Sequence, residues 1–80
     1  MLVPLYGFLK GDTIGLLVLA QDDDTVAVVA AKLQQAAAVR VAPRPRVEVY
    51  FDGKLLPPQL TVAEVGLTAL ERVDVVQLDS

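Results

Sequence analysis

Residues 21–39, QDDDTVAVVAAKLQQAAAV, carry the one long helical period in the chain. Val26, Val29, Ala30, Leu33 and Ala37 recur at i, i+3, i+4 and i+7 spacing, which places them on one apolar stripe. The pattern predicts a helix over roughly residues 26–38, about 20 Å long at a rise of 1.5 Å per residue. Asp24 or Thr25 can cap its start, and Asp22, Asp23 and Asp24 lie near the positive end of its dipole. No further carboxylates are spaced for cation coordination, so these acids read as a cap and a solvated acidic turn.

Upstream, residues 2–9 and 13–20 are two β-rich runs joined by LKGD, whose Gly11 and Asp12 supply hairpin chemistry. Alternation in the second run assigns Ile14, Leu16 and Val18 to the core and leaves Leu17 and Leu19 on the opposite face. The first run is apolar in both phases, so the face taken by Pro4, Tyr6 and Phe8 is not assigned. Downstream, Pro43 and Pro45 break the helix. VEVYF (47–51) reads as a strand, DG (52–53) as a turn into a short KLL segment, and TVAE as a capped helical turn that Gly66 stops. RVDVVQL closes the chain as a strand with Val73 and Val75 inward and Asp74 and Val76 outward. Hairpin, helix, strand, short strand, helical turn and strand make an α+β order. It predicts one domain over 1–80, a β-grasp whose mixed sheet wraps one helix with its first and last strands parallel at the centre.

The totals exclude most chemistry. Eighty residues bury only about 60% of their unfolded surface, enough for one modest core. With no cysteine or histidine and a single methionine, thiol nucleophiles, disulfides, imidazole bases and nearly all zinc and haem ligation are absent. Glu71 and Asp74 have no histidine or ligand set beside them and read as strand-end charges. DGK at 52–54 lacks the spacing of a phosphate loop. A net charge of -3 argues against nucleic acid as a partner. The N-terminal residues lack a signal-peptide pattern and no run is long enough to cross a membrane, so a cytoplasmic location is expected.

What remains is binding. Arg40, Arg44 and Arg46 are gathered in VRVAPRPRV (39–47), where their planar forks could pair with partner carboxylates. The plainer reading is that Arg40 answers the helix C-terminus while the others solubilise a loop stiffened by proline. A second candidate surface is the sheet face away from the helix, where Leu17, Leu19, Tyr50 and Val76 point if the alternation holds.

DTVAVVAAKLQ (24–34), FDGKLL (51–56) and LTVAEVGL (60–67) resemble ubiquitin in cap, helix, turn and helical-turn pattern. The chain ends QLDS without a diglycine, so ubiquitin-type conjugation is not expected. A closer resemblance rests on VPLYGFLKGD (3–12), RVAPR (40–44) and LLPPQLTVAEVGLTALERVDVV (55–76), which are similar to protein B of the toluene monooxygenase systems. This sequence departs in its shorter N-terminus, its alanine-rich helix and its DGKLL turn. The resemblance implies a non-catalytic γ subunit of a diiron hydroxylase acting on aromatic hydrocarbons. It also implies α and β subunits as partners, with the iron and substrate pocket in α and no cofactor in this chain. The alternative is a ubiquitin-like adaptor, such as an accessory protein of type VII secretion, which shares the β-grasp and a proline-arginine connector.

Overall fold

The computed structural model describes residues 1–78. Its elements are β1 (Leu2–Leu9), β2 (Gly15–Gln21), α1 (Val26–Ala37), β3 (Val47–Phe51), β4 (Lys54–Leu55), α2 (Val62–Val65) and β5 (Arg72–Gln77). The five strands form one mixed sheet in the order β2-β1-β5-β3-β4. β1 runs antiparallel to β2 and parallel to β5, with Tyr6 opposite Arg72 and Leu9 opposite Val75. The expected β-grasp, with first and last strands adjacent at its centre, is what the chain forms.

The hairpin begins later than its sequence suggests. The connection occupies residues 10–14 and β2 starts at Gly15, so Ile14 lies in the turn and is 48% exposed. Its assignment to the core is corrected on that ground. The period holds beyond it: Leu16 is half-buried, and Val18 and Ala20 are buried. In β1 the inward set is Val3, Leu5 and Leu9, which settles the unassigned phase and turns Pro4, Tyr6 and Phe8 to the outer face. Pro4 sits in an interior strand without breaking a ladder. Tyr6 N–H donates towards β5, to the Glu71 carbonyl, so by alternation the proline nitrogen faces the same side, before β5 has begun.

All five residues of the helical stripe are buried, and Leu33 is fully enclosed. Enclosing such a leucine stabilises the fold by about 1.5–3 kcal/mol, which makes α1 the lid of the core. Thr25 is the N-cap, its hydroxyl accepting from Val28 N–H. Asp24 is otherwise engaged: its carboxylate accepts from Gln21 N–H at 2.8 Å and from Lys32 Nζ at 2.7 Å. The two helices also satisfy each other's first turns. Val26 N–H donates to the Leu60 carbonyl and Ala27 N–H to Pro58, while Val62 N–H donates to Asp24 and Ala63 N–H to Asp22. Those amides are the ones a helix start leaves without internal partners. Thr61 and Glu64 complete a capping box on α2, and Gly66 ends it at φ 78°, a conformation suited to a residue without Cβ.

Candidate partner-binding surfaces

Among the described residues no three His, Cys, Asp or Glu side chains gather as a metal site. No helix among them is long and apolar enough to cross a membrane. The features able to recognise something are a sheet face and a groove.

The outer face follows from strand register. Leu19 lies opposite Pro4 and Leu17 opposite Tyr6, so all four side chains share the side away from α1. Leu17 and Leu19 are each 53% exposed, and Leu2 and Tyr6 extend the same apolar surface. Tyr50 and Val76 also point outward, but β1 separates Val76, on β5, from the two leucines, and β1 and β5 together separate Tyr50, on β3, from them. Between the halves stands a polar seam, where Arg72 pairs with Asp74 at 2.9 Å and its guanidinium lies 4.0 Å over the Phe8 ring. That ring in turn covers Gly15, where an added Cβ would fall 2.4 Å from the ring's edge. Beyond the seam, the Tyr50 hydroxyl donates to Glu48 at 3.0 Å. This bond to the carboxylate raises the Tyr50 pKa, with partial burial adding to the effect. The four residues expected on this face are all there, but as two pairs.

The three arginines also divide. Arg40 grips Asp12 in the hairpin turn through two guanidinium nitrogens, each 2.9 Å from a carboxylate oxygen. The Asp12 side chain is only 2% exposed, and its pKa is lowered mainly by this bond. Arg40 thus ties the end of α1 to the β1–β2 turn, a use that neither reading of the sequence contained. Arg44 and Arg46 instead line a groove of about 650 Å³ with Ala27 and Ala31 of α1, Val47 of β3 and Leu55. Their guanidinium groups have no hydrogen-bonded or ionic partner among the described residues.

Sequence reading missed what fixes this connector in place. Gln34 is a polar residue inside the buried face of α1, 7% exposed. Its side-chain amide pairs with the Arg44 backbone in both directions, accepting from the N–H at 2.8 Å and donating to the carbonyl at 3.0 Å. Gln77 adds bonds to Gln34 Oε1 and to the Ala42 carbonyl, each 2.8 Å. A glutamine beside a proline-rich segment poor in amide donors was the available signal.

A family model described as toluene-4-monooxygenase system protein B (TmoB) matches residues 2–77. Among solved structures, a chain of the toluene 4 monooxygenase HD complex with the inhibitor 4-bromobenzoate is similar at 30% identity and a TM-score of 0.88. The match covers 98% of this chain and 100% of that one. Ubiquitin of Caldiarchaeum subterraneum aligns over 100% of this chain and 98% of its own at 14% identity, TM-score 0.78. A ubiquitin-like domain from Arabidopsis thaliana aligns over 99% and 80% at 16% identity, TM-score 0.73. The last two establish the ubiquitin-like β-grasp fold alone. No curated protein matches.

Proposed function

We propose, on the premise that the chain belongs to the toluene-4-monooxygenase system protein B family, that it completes a hydroxylase assembly by binding the larger subunits. It is a small non-catalytic subunit of that system, and the match to a chain of the hydroxylase complex carries this reading. The fold neighbours alone would suit the secretion-adaptor alternative equally well, whereas the family match favours the hydroxylase. Its own residues do not suit a diiron centre, since histidine is missing and no carboxylate cluster forms among the described residues. Iron, oxygen activation and the hydrocarbon pocket therefore belong to the α subunit in this proposal.

The contacts we assign to assembly are the outer sheet face and the arginine connector. Leu17 and Leu19, joined by Tyr6 and Leu2, form the apolar half, and Tyr50 and Val76 the second half. Arg44 and Arg46 are available to partner carboxylates, while Arg40 contributes by holding the connector's start against Asp12. An exposed ion pair contributes only about 0–1 kcal/mol, so Arg44 and Arg46 matter where assembly desolvates them. The test is affinity purification of the chain from its native cells, with mass spectrometry and iron analysis of the eluate. A stoichiometric iron-containing hydroxylase is expected; secretion components without iron would overturn the reading. Leu17→Asp with Leu19→Asp should leave the far-ultraviolet spectrum unchanged and abolish co-purification.

A further inference from the structure

Alongside the groove runs a strand edge that the described residues do not close. The Arg46 carbonyl accepts from Leu78 N–H on the β5 side, while the Val49 carbonyl accepts from Leu56 N–H on the opposite side. Backbone groups alternate along a strand, so the N–H and C=O of Val47 face the same way as those of Val49, away from β5. On that side β4 pairs only with Tyr50 and Phe51. Among the described residues, Val47 N–H, Val47 C=O and Val49 N–H have no hydrogen-bond partner. The segment after β4 cannot extend the ladder, because residues 57 and 58 are prolines without amide donors.

From this we infer that the edge of β3 and the adjoining groove receive an extended segment of a hydroxylase subunit, carrying an apolar side chain flanked by acidic ones. The inference rests on the subunit reading above. Three observations select that occupant. The open N–H and C=O groups of Val47 are matched by another strand's backbone. The groove beside them is floored by small helix residues, Ala27 and Ala31, and by Leu55, which leaves room for an apolar side chain. At its end Arg44 and Arg46 have no ionic partner among the described residues, and Glu48, which also lines the groove, pairs with neither of them, its carboxylate accepting instead from the Tyr50 hydroxyl. An acidic segment complements that rim. The Gln34 clamp on Arg44 holds the rim before the segment arrives, which lowers the ordering cost of binding.

The experiment is amide exchange on the full chain, free and within the co-purified hydroxylase, with affinity measured for two variants. The Val47 and Val49 amides are expected to exchange at least ~10-fold more slowly in the complex. Ala27→Gln with Ala31→Gln places longer helix-compatible side chains at the groove wall on exposed positions. It should keep the helical spectrum and weaken hydroxylase binding at least ~10-fold. Arg44→Glu with Arg46→Glu should weaken it similarly, with loss of salt dependence. A complex that forms with unchanged exchange at Val47 and Val49, or with full affinity in the glutamine variant, would overturn the inference while leaving the subunit reading intact. Protection of the same amides by self-association of the free chain would overturn it in favour of a second copy. Failure of the native chain to recover any hydroxylase would overturn both.

Discussion

Replacing Gln34 with leucine is expected to loosen the connector while leaving the sheet intact. In Q34L, Arg44 loses the partners of both its N–H and its C=O, and Gln77 keeps only the Ala42 carbonyl. Each of these three lost bonds contributes about 1 kcal/mol net and the added apolar burial of leucine offsets about 1 kcal/mol, so the net loss comes to about 2 kcal/mol. For a domain of this size that lowers Tm by roughly 8–16 °C. Q34E separates hydrogen bonding from packing. Its carboxylate could still accept from Arg44 N–H and Gln77, but it would turn a second acceptor on the Arg44 carbonyl. Burial and that carbonyl disfavour the charged form, so the variant's folded pKa should lie above the ordinary glutamate value of about 4.3. The protonated form restores a donor. Stability relative to the native chain is therefore near full below about pH 4.3 and falls as pH rises through the higher folded value. Thermal unfolding of Q34L, Q34E and the native chain from about pH 4 to 7 reads this directly. A Q34L midpoint within about 2 °C of native, or a Q34E deficit that does not change with pH, would refute the account of the clamp.

Arg40 holds the Asp12 carboxyl below the ordinary aspartate range. The stability from that pair is present above the unfolded value of about 3.9 and is lost as pH falls through the lowered folded value. Urea titrations should accordingly show Arg40→Ala less stable than the native chain near neutrality and equal to it in strong acid. Gly15→Ala drives a Cβ into the Phe8 ring, which must leave its place beneath Arg72. The expected cost is about 1–2 kcal/mol in the urea midpoint, and it should vanish when Phe8 is already alanine. Removing the Thr61 hydroxyl (Thr61→Ala) should cost about 1 kcal/mol by breaking the α2 capping box, measured by the same titration.

Local features were legible in the sequence because their causes are local. The α1 stripe, the Thr61 cap, the Gly66 stop and the inward phase of Val73 and Val75 depend on neighbours a few residues apart, and the structure contains each. The outward phase of Leu17 and Leu19 was legible for the same reason. Ile14 misled because alternation has no marker for where pairing begins, and the turn claimed two more residues, Thr13 and Ile14, than its glycine and aspartate suggest. β1 could not be oriented alone, since Val3, Leu5 and Leu9 compete with Leu2, Tyr6 and Phe8 on equal terms. Only the pairing of Tyr6 with Leu17 decides between them. Arg40 with Asp12, and Gln34 with Arg44 and Gln77, join residues distant in the chain through irregular backbone. No periodic signature announces such contacts, so the arginine cluster read as one group when tertiary structure splits it in two.

The parallel pairing of β1 with β5 joins the start of the chain to its far end, Tyr6 to Arg72 and Leu9 to Val75. During synthesis, hairpin and helix can form as they emerge, but the middle of the sheet stays incomplete until residues 72–77 are out of the ribosome. Until then β1 has a vacant inner edge, and the core under α1 lacks Val73 and Val75, both fully buried in the finished fold. Such long-range closure slows folding and exposes unpaired strand to wrong partners. The outer sheet face and the β3 edge thus mature only after translation has delivered β5, and any partner that reads them must wait for that event.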